Sequence, residues 1–269
     1  MKRTTEIKTF FKGICIGGTM LVPGVSGGSM AMILGIYDKL ISSISSFMKH
    51  KRQNALFLGV FGIGGILGIF LFANPLLHLI ELFPRPMLYF FMGAVIGGIP
   101  VITKQAKVEK VTWKIILYVA LGIATVVLLS FLPTGTVHSN MQAGVGSFLL
   151  LGVAGVIAAV ALVLPGISVS YMLLMMGLYD ETMRAITDLY LPFLLPLGIG
   201  LIVGIILSTK FLEYAMRRYP QCTFSIILGF LLGSIVEIFP GIPSGWEILI
   251  CVGTLAAGFG AIRLLSRFS

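Results

Sequence analysis

The chain is written twice. Residues 23–38, PGVSGGSMAMILGIYD, align with residues 165–180, PGISVSYMLLMMGLYD, at an offset of 142 and are identical at seven of sixteen positions. Residues 58–99 then align with 194–235 at an offset of 136, pairing Gly64 with Gly200, Gly68 with Gly204, Pro84 with Pro220, Gly93 with Gly229 and Gly97 with Gly233. Trp113 falls on Trp246 at an offset of 133, so the only two tryptophans are equivalents. A correspondence of this kind asks for a fold of two like halves, here residues 1–134 and 143–269.

Both halves are built for lipid. Of 269 residues 57% are apolar and 11% charged, which excludes an ordinary soluble domain. Apolar runs at 55–73, 87–103, 115–133, 193–209, 222–238 and 246–262 each approach the roughly 20 residues of a membrane-spanning helix. The net charge of +9 does not indicate a nucleic-acid binder, because the basic residues sort into loops on one side. Lys2, Arg3, Lys8 and Lys12 ahead of a short apolar run look like a signal peptide, but the same pattern recurs at 153–168, so the first copy reads as mature structure.

Charge placement decides how the motif segments, 13–37 and 146–179, are threaded. If each returns to its own side, seventeen Lys and Arg lie inside and only Arg85 and Arg184 outside; if each crosses once, the count is ten against nine. The positive-inside rule selects the return, with both termini cytoplasmic. Each half is then a re-entrant helical hairpin broken at Pro-Gly, followed by three transmembrane helices. Three is odd, so the halves are inverted, and the expected fold is an all-α polytopic membrane protein of two inverted repeats.

A helix interrupted inside a membrane frees backbone groups that lipid cannot satisfy, so breaks at Pro23-Gly24 and Pro165-Gly166 imply a protein-lined or wet cavity. Helix starts beyond the breaks present unpaired N–H groups, and Ser26, Gly27, Gly28, Ser29, Ser168 and Ser170 add hydroxyl donors and close backbone approach. That combination suits a phosphate. Arg184, on the outer side, offers a positive charge. Tyr37, Asp38, Tyr179 and Asp180 are candidates for coupling or for interfacial anchoring, with solvated ends the plainer reading for the acids, as for Glu81 and Glu237. The paired glycines, such as Gly64 with Gly68, read as helix packing.

Catalytic chemistry finds little support. His50, His78 and His138 have no second histidine or carboxylate at metal-ligand spacing, and Cys15, Cys222 and Cys251 are too scattered for a zinc site or a disulfide framework. A P-loop is missing too. No metal, cofactor or enzyme activity is expected.

The two motifs, PGVSGGSMAMILGIYDKLI and PGISVSYMLLMMGLYD, closely resemble the paired signatures of a bacterial family of polyprenyl-phosphate translocases of the PopT type, formerly a domain of unknown function. The resemblance spans nearly the whole chain. It implies a flippase that returns undecaprenyl phosphate, the lipid carrier of peptidoglycan synthesis, from the outer to the inner leaflet of the cytoplasmic membrane. By position it implies a phosphate site of Pro23, Gly24, Ser26, Gly27, Gly28 and Ser29 with Pro165, Gly166, Ser168 and Ser170. Three departures stand out: Ser29 where Thr is usual, Val169 where Gly is common, and Met20 where many members carry an acid. The expected partners are the polyprenyl phosphate, membrane lipids and a coupling proton or sodium ion, with no nucleic acid. A lipid-phosphate hydrolase and a non-transporting membrane scaffold are the alternatives.

Overall fold

The computed structural model describes residues 2–20, 26–106, 112–131 and 145–267. The described residues form helices throughout: α1 (Lys2–Thr19), α2 (Gly27–Ile33), α3 (Tyr37–Ser45), α4 (Lys51–Leu82), α5 (Pro84–Gln105), α6 (Trp113–Ser130), α7 (Val145–Val163), α8 (Val169–Met175), α9 (Tyr179–Thr187), α10 (Leu191–Arg218), α11 (Pro220–Ile238) and α12 (Glu247–Arg267). Six of these, α4, α5, α6, α10, α11 and α12, are long and apolar enough to cross a membrane.

The expected runs fall on these six helices, and the two longest helices outrun theirs at the C-terminal end by nine residues each. The first run, expected to stop at residue 73, continues as α4 through Pro75 to Leu82, and the fourth, expected to stop at 209, continues as α10 to Arg218. Polar residues such as His78 and Lys210 end an apolar run without ending a helix, because a helix needs only its own backbone hydrogen bonds. The motif segments differ as well. The expected hairpins end at residues 37 and 179, but α1 and α7 are each followed by two short helices, and Tyr37 and Tyr179 begin the second of them. Gly35 and Gly177 make the intervening turns in the left-handed region, at φ of 63° and 69°.

Packing follows the glycines. In α4, a methyl on Gly64 would collide with the Phe10 carbonyl and one on Gly68 with the Ile14 carbonyl, so α4 lies backbone to backbone on α1. The equivalents Gly200 and Gly204 bring α10 equally close to Gly152 and Val156 of α7. Without a hydrophobic drive between helices in lipid, such close contact is what holds them together. In both pairs the contacts advance in step along the two helices, so partners run parallel. The next pairs exchange partners between halves. Gly93 and Gly97 of α5 meet Leu255 and Phe259 of α12, a constant separation of 162 that the Arg85–Glu247 ion pair (2.9 Å) continues to the helix starts. Gly229 and Gly233 of α11 meet Val119 and Val126 of α6. The third span of each half therefore lies on the second span of the other.

At the centre sits α2, against α1, α5 and α7, with Met32 and Ile33 fully buried among Ile102, Ile227 and Leu231. Beyond it α3 packs on α10. Ser45 Oγ donates to the Glu213 carboxylate, which also pairs with Arg217 at 2.6 Å.

Candidate functional site

The start of α2 meets the break of the second motif. Ser26 caps α2, its Oγ accepting the Ser29 N–H at 3.1 Å and lying 2.7 Å from the Ser29 Oγ. The same oxygen accepts the Gly166 N–H at 3.0 Å, so one serine of the first motif holds the backbone break of the second. Gly28 completes the approach: a methyl there would touch Pro165 Cα at 3.3 Å. Gly166 sits at φ 84°, and a methyl on it would press on the Phe230 carbonyl oxygen at 2.6 Å. Any other residue would be both strained and crowded at this position.

A second bond ties the breaks together. The buried Tyr37 hydroxyl donates to the Val163 carbonyl at 2.6 Å, satisfying an acceptor that the end of α7 leaves without an intrahelical partner. Tyr37 thus anchors the two halves to each other, not the hairpin to the interface. Lys12 does comparable work at the other end of α2, where its Nζ donates to the Leu34 carbonyl at 2.8 Å. In the charge count Lys12 stands only as a loop charge. Its signal was weak, because the lysine and the carbonyl it caps are twenty-two residues apart.

The remaining candidates divide. Ser29 is buried beside Ser26, and Gly27 and Gly28 supply the first two N–H groups of α2; Ser29 is bonded to Ser26, and the Met30 N–H to the Ser26 carbonyl. By helix geometry, the Gly27 and Gly28 N–H groups are the donors left over. Ser168 caps α8 with a longer bond, from the Tyr171 N–H at 3.4 Å, and Ser170 is exposed. Arg184, Asp180 and Asp38 are exposed, and Tyr179 is half-buried at the start of α9, which packs on α8 and α10. The structure does not bring these four to the Ser26–Gly166 contact. Pro23 and Gly24 lie outside the described residues.

The halves are also unequally docked. Met30, Met32 and Ile33 of α2 are almost wholly covered, whereas Leu174 of α8 is 45% exposed. Across the duplication α3 packs on α10, while a matching contact of α9 on α4 is not developed among the described residues.

Six apolar spans and two interrupted helices meeting between like halves define a multi-pass helical membrane protein. The profile of the undecaprenyl phosphate translocase-like family matches residues 16–247, and the chain belongs to that family. It is 35% identical over 243 residues to a polyprenyl-phosphate transporter of Staphylococcus aureus, covering 87% of this chain and 86% of that one. It is 30% identical over 264 residues to a polyprenyl-phosphate transporter of Vibrio cholerae, covering 89% and 79%. No solved structure matches the chain.

Proposed function

We propose that this protein carries polyprenyl phosphate across the bacterial cytoplasmic membrane, returning undecaprenyl phosphate from the outer to the inner leaflet for reuse in envelope synthesis. The observation that carries the reading is the bond from the Gly166 N–H to Ser26 Oγ, which joins the serine of the first motif to the Pro-Gly of the second, 140 residues apart in sequence. Both curated relatives are named for this cargo.

On this reading the phosphate is held at the start of α2 by the N–H groups of Gly27 and Gly28 and the hydroxyls of Ser26 and Ser29, with Gly166 and Ser168 facing them from the second motif. With only seven residues in α2, the hold rests on these donors more than on a helix dipole. The inverted, re-entrant plan has its own support. Parallel α1 and α4 need the chain between them to come back to its starting side, and α7 with α10 need the same. The start of α4 adjoins α3 through the Asn54–Ser46 bond, and the last third of α10 adjoins α3 through Glu213, so these equivalent helices point opposite ways. That shared end carries Lys49, Lys51, Arg52, Arg217 and Arg218, the cytoplasmic signature.

The test is purified protein in vesicles loaded with undecaprenyl phosphate, scored for leaflet exchange and for released inorganic phosphate. Exchange without release is expected. Release would make the protein a hydrolase, and neither signal would leave a scaffold.

A further inference from the structure

A cavity of about 240 Å³ opens beside the motif, between α1, α2, α4, α5 and α12. Its walls include Thr19, Met30, Phe72, Ala94, Ala261 and Leu265, and they are almost entirely apolar. Thr19 is the last residue of α1 before the first break, and Met30 directly follows Ser29. At the opposite rim Phe72 and Leu265 are exposed on the spanning helices α4 and α12, where the protein meets lipid. The cavity therefore lies next in the chain to the proposed phosphate site and reaches helices that face the membrane, and such walls do not order water.

Among the described residues the corresponding place in the second half is filled. Carrying the internal alignment through the walls, Ala94 corresponds to Phe230, Gly258 to Thr125, Ala261 to Leu128 and Met30 to Met172. Phe230 is buried in a closed cluster with Val126, Ala161 and Ile167, against which Leu129 and Met172 pack. A buried phenylalanine fills in one half what an alanine leaves open in the other.

Resting on the transport reading above, we infer that this cavity is the subsite for the prenyl chain, taking the isoprene units next to the phosphate, and that the transporter has one such subsite despite its duplication. The cargo named for the relatives joins a phosphate to an apolar chain, so a phosphate at the start of α2 obliges the chain to leave by an adjoining apolar path. A volume below the roughly 300–1,000 Å³ of pockets that enclose a drug-sized ligand suits a short stretch of chain, the rest lying in the bilayer.

Two measurements test it. First, Ala94→Phe and Ala261→Leu, each importing the residue of the other half, should lower undecaprenyl phosphate exchange in vesicles at least tenfold. They should leave binding of dimethylallyl phosphate, which has a single isoprene unit, within twofold of the parent protein. Unchanged exchange in folded variants overturns the subsite, as does equal loss of dimethylallyl phosphate binding; absence of exchange by the parent protein overturns the transport reading instead. Second, Cys15 lines the cavity in the unaltered chain. Undecaprenyl phosphate should slow its modification by N-ethylmaleimide at least fivefold, read by mass spectrometry with Cys222 as the internal reference. Equal protection by inorganic phosphate or by phosphatidate overturns the assignment to a prenyl chain.

Discussion

Ser26 and Ser168 are equivalents, and sequence alone gives them equal weight; the structure makes them unequal. Ser26 Oγ accepts two backbone N–H groups, from Ser29 at 3.1 Å and Gly166 at 3.0 Å, whereas Ser168 Oγ accepts one, from Tyr171 at 3.4 Å. Ser26→Ala strands two donors, one of them on buried Gly166, at about 1–3 kcal/mol each when water cannot replace the partner. Ser26 is only half-buried, which favours the lower part of that range and a total of about 2–4 kcal/mol. Losing the weaker cap in Ser168→Ala costs about 0.5–1 kcal/mol. The gap, about 2 kcal/mol, is roughly a thirtyfold difference in the unfolding equilibrium. Reversible unfolding of both variants in mixed micelles measures it directly. Ser26→Thr keeps the acceptor and should recover most of the loss. Equal destabilisation by the two alanines, or a larger effect at Ser168, would refute the assignment of Ser26 as the joint between the halves.

Topology can be read with single cysteines in intact cells: Ile242→Cys, on the exposed loop after α11, should react with an impermeant thiol reagent, and Lys51→Cys should not. A disulfide formed between Ser45→Cys and Glu213→Cys, which replaces the contact of α3 with α10, should stop exchange in vesicles until a reductant is added. Gly200→Ala should destabilise by about 1–3 kcal/mol because its methyl would run into the Gly152 carbonyl, while Gly198→Ala, two residues away with open space around it, should be neutral or stabilising in thermal unfolding. Moving a negative phosphate inward costs about 2.3 kcal/mol per charge per 100 mV, so net recycling calls for a lipid gradient or a coupled cation. With the potential clamped and lipid equal on both sides, an inward proton gradient should drive inward movement; if only a sodium gradient does, the coupling ion is sodium.

Much of this protein is legible in one dimension. The six spans follow from apolar run length. Each is a property of one segment and its solvent, which is why sequence suffices. Partner choice is another matter. That α5 takes α12 and α11 takes α6, exchanging third helices between halves, depends on how glycine grooves fit carbonyl ridges on a particular neighbour. Lipid is as apolar as the helix surfaces, so hydropathy does not rank one neighbour over another; close packing does, and it exists only once both surfaces are in place. The same holds at the site. The motif marks Ser26 and Gly166 as special, yet only the folded chain shows that one receives the other's N–H, or that the space beside Ala94 stays open where Phe230 closes its counterpart.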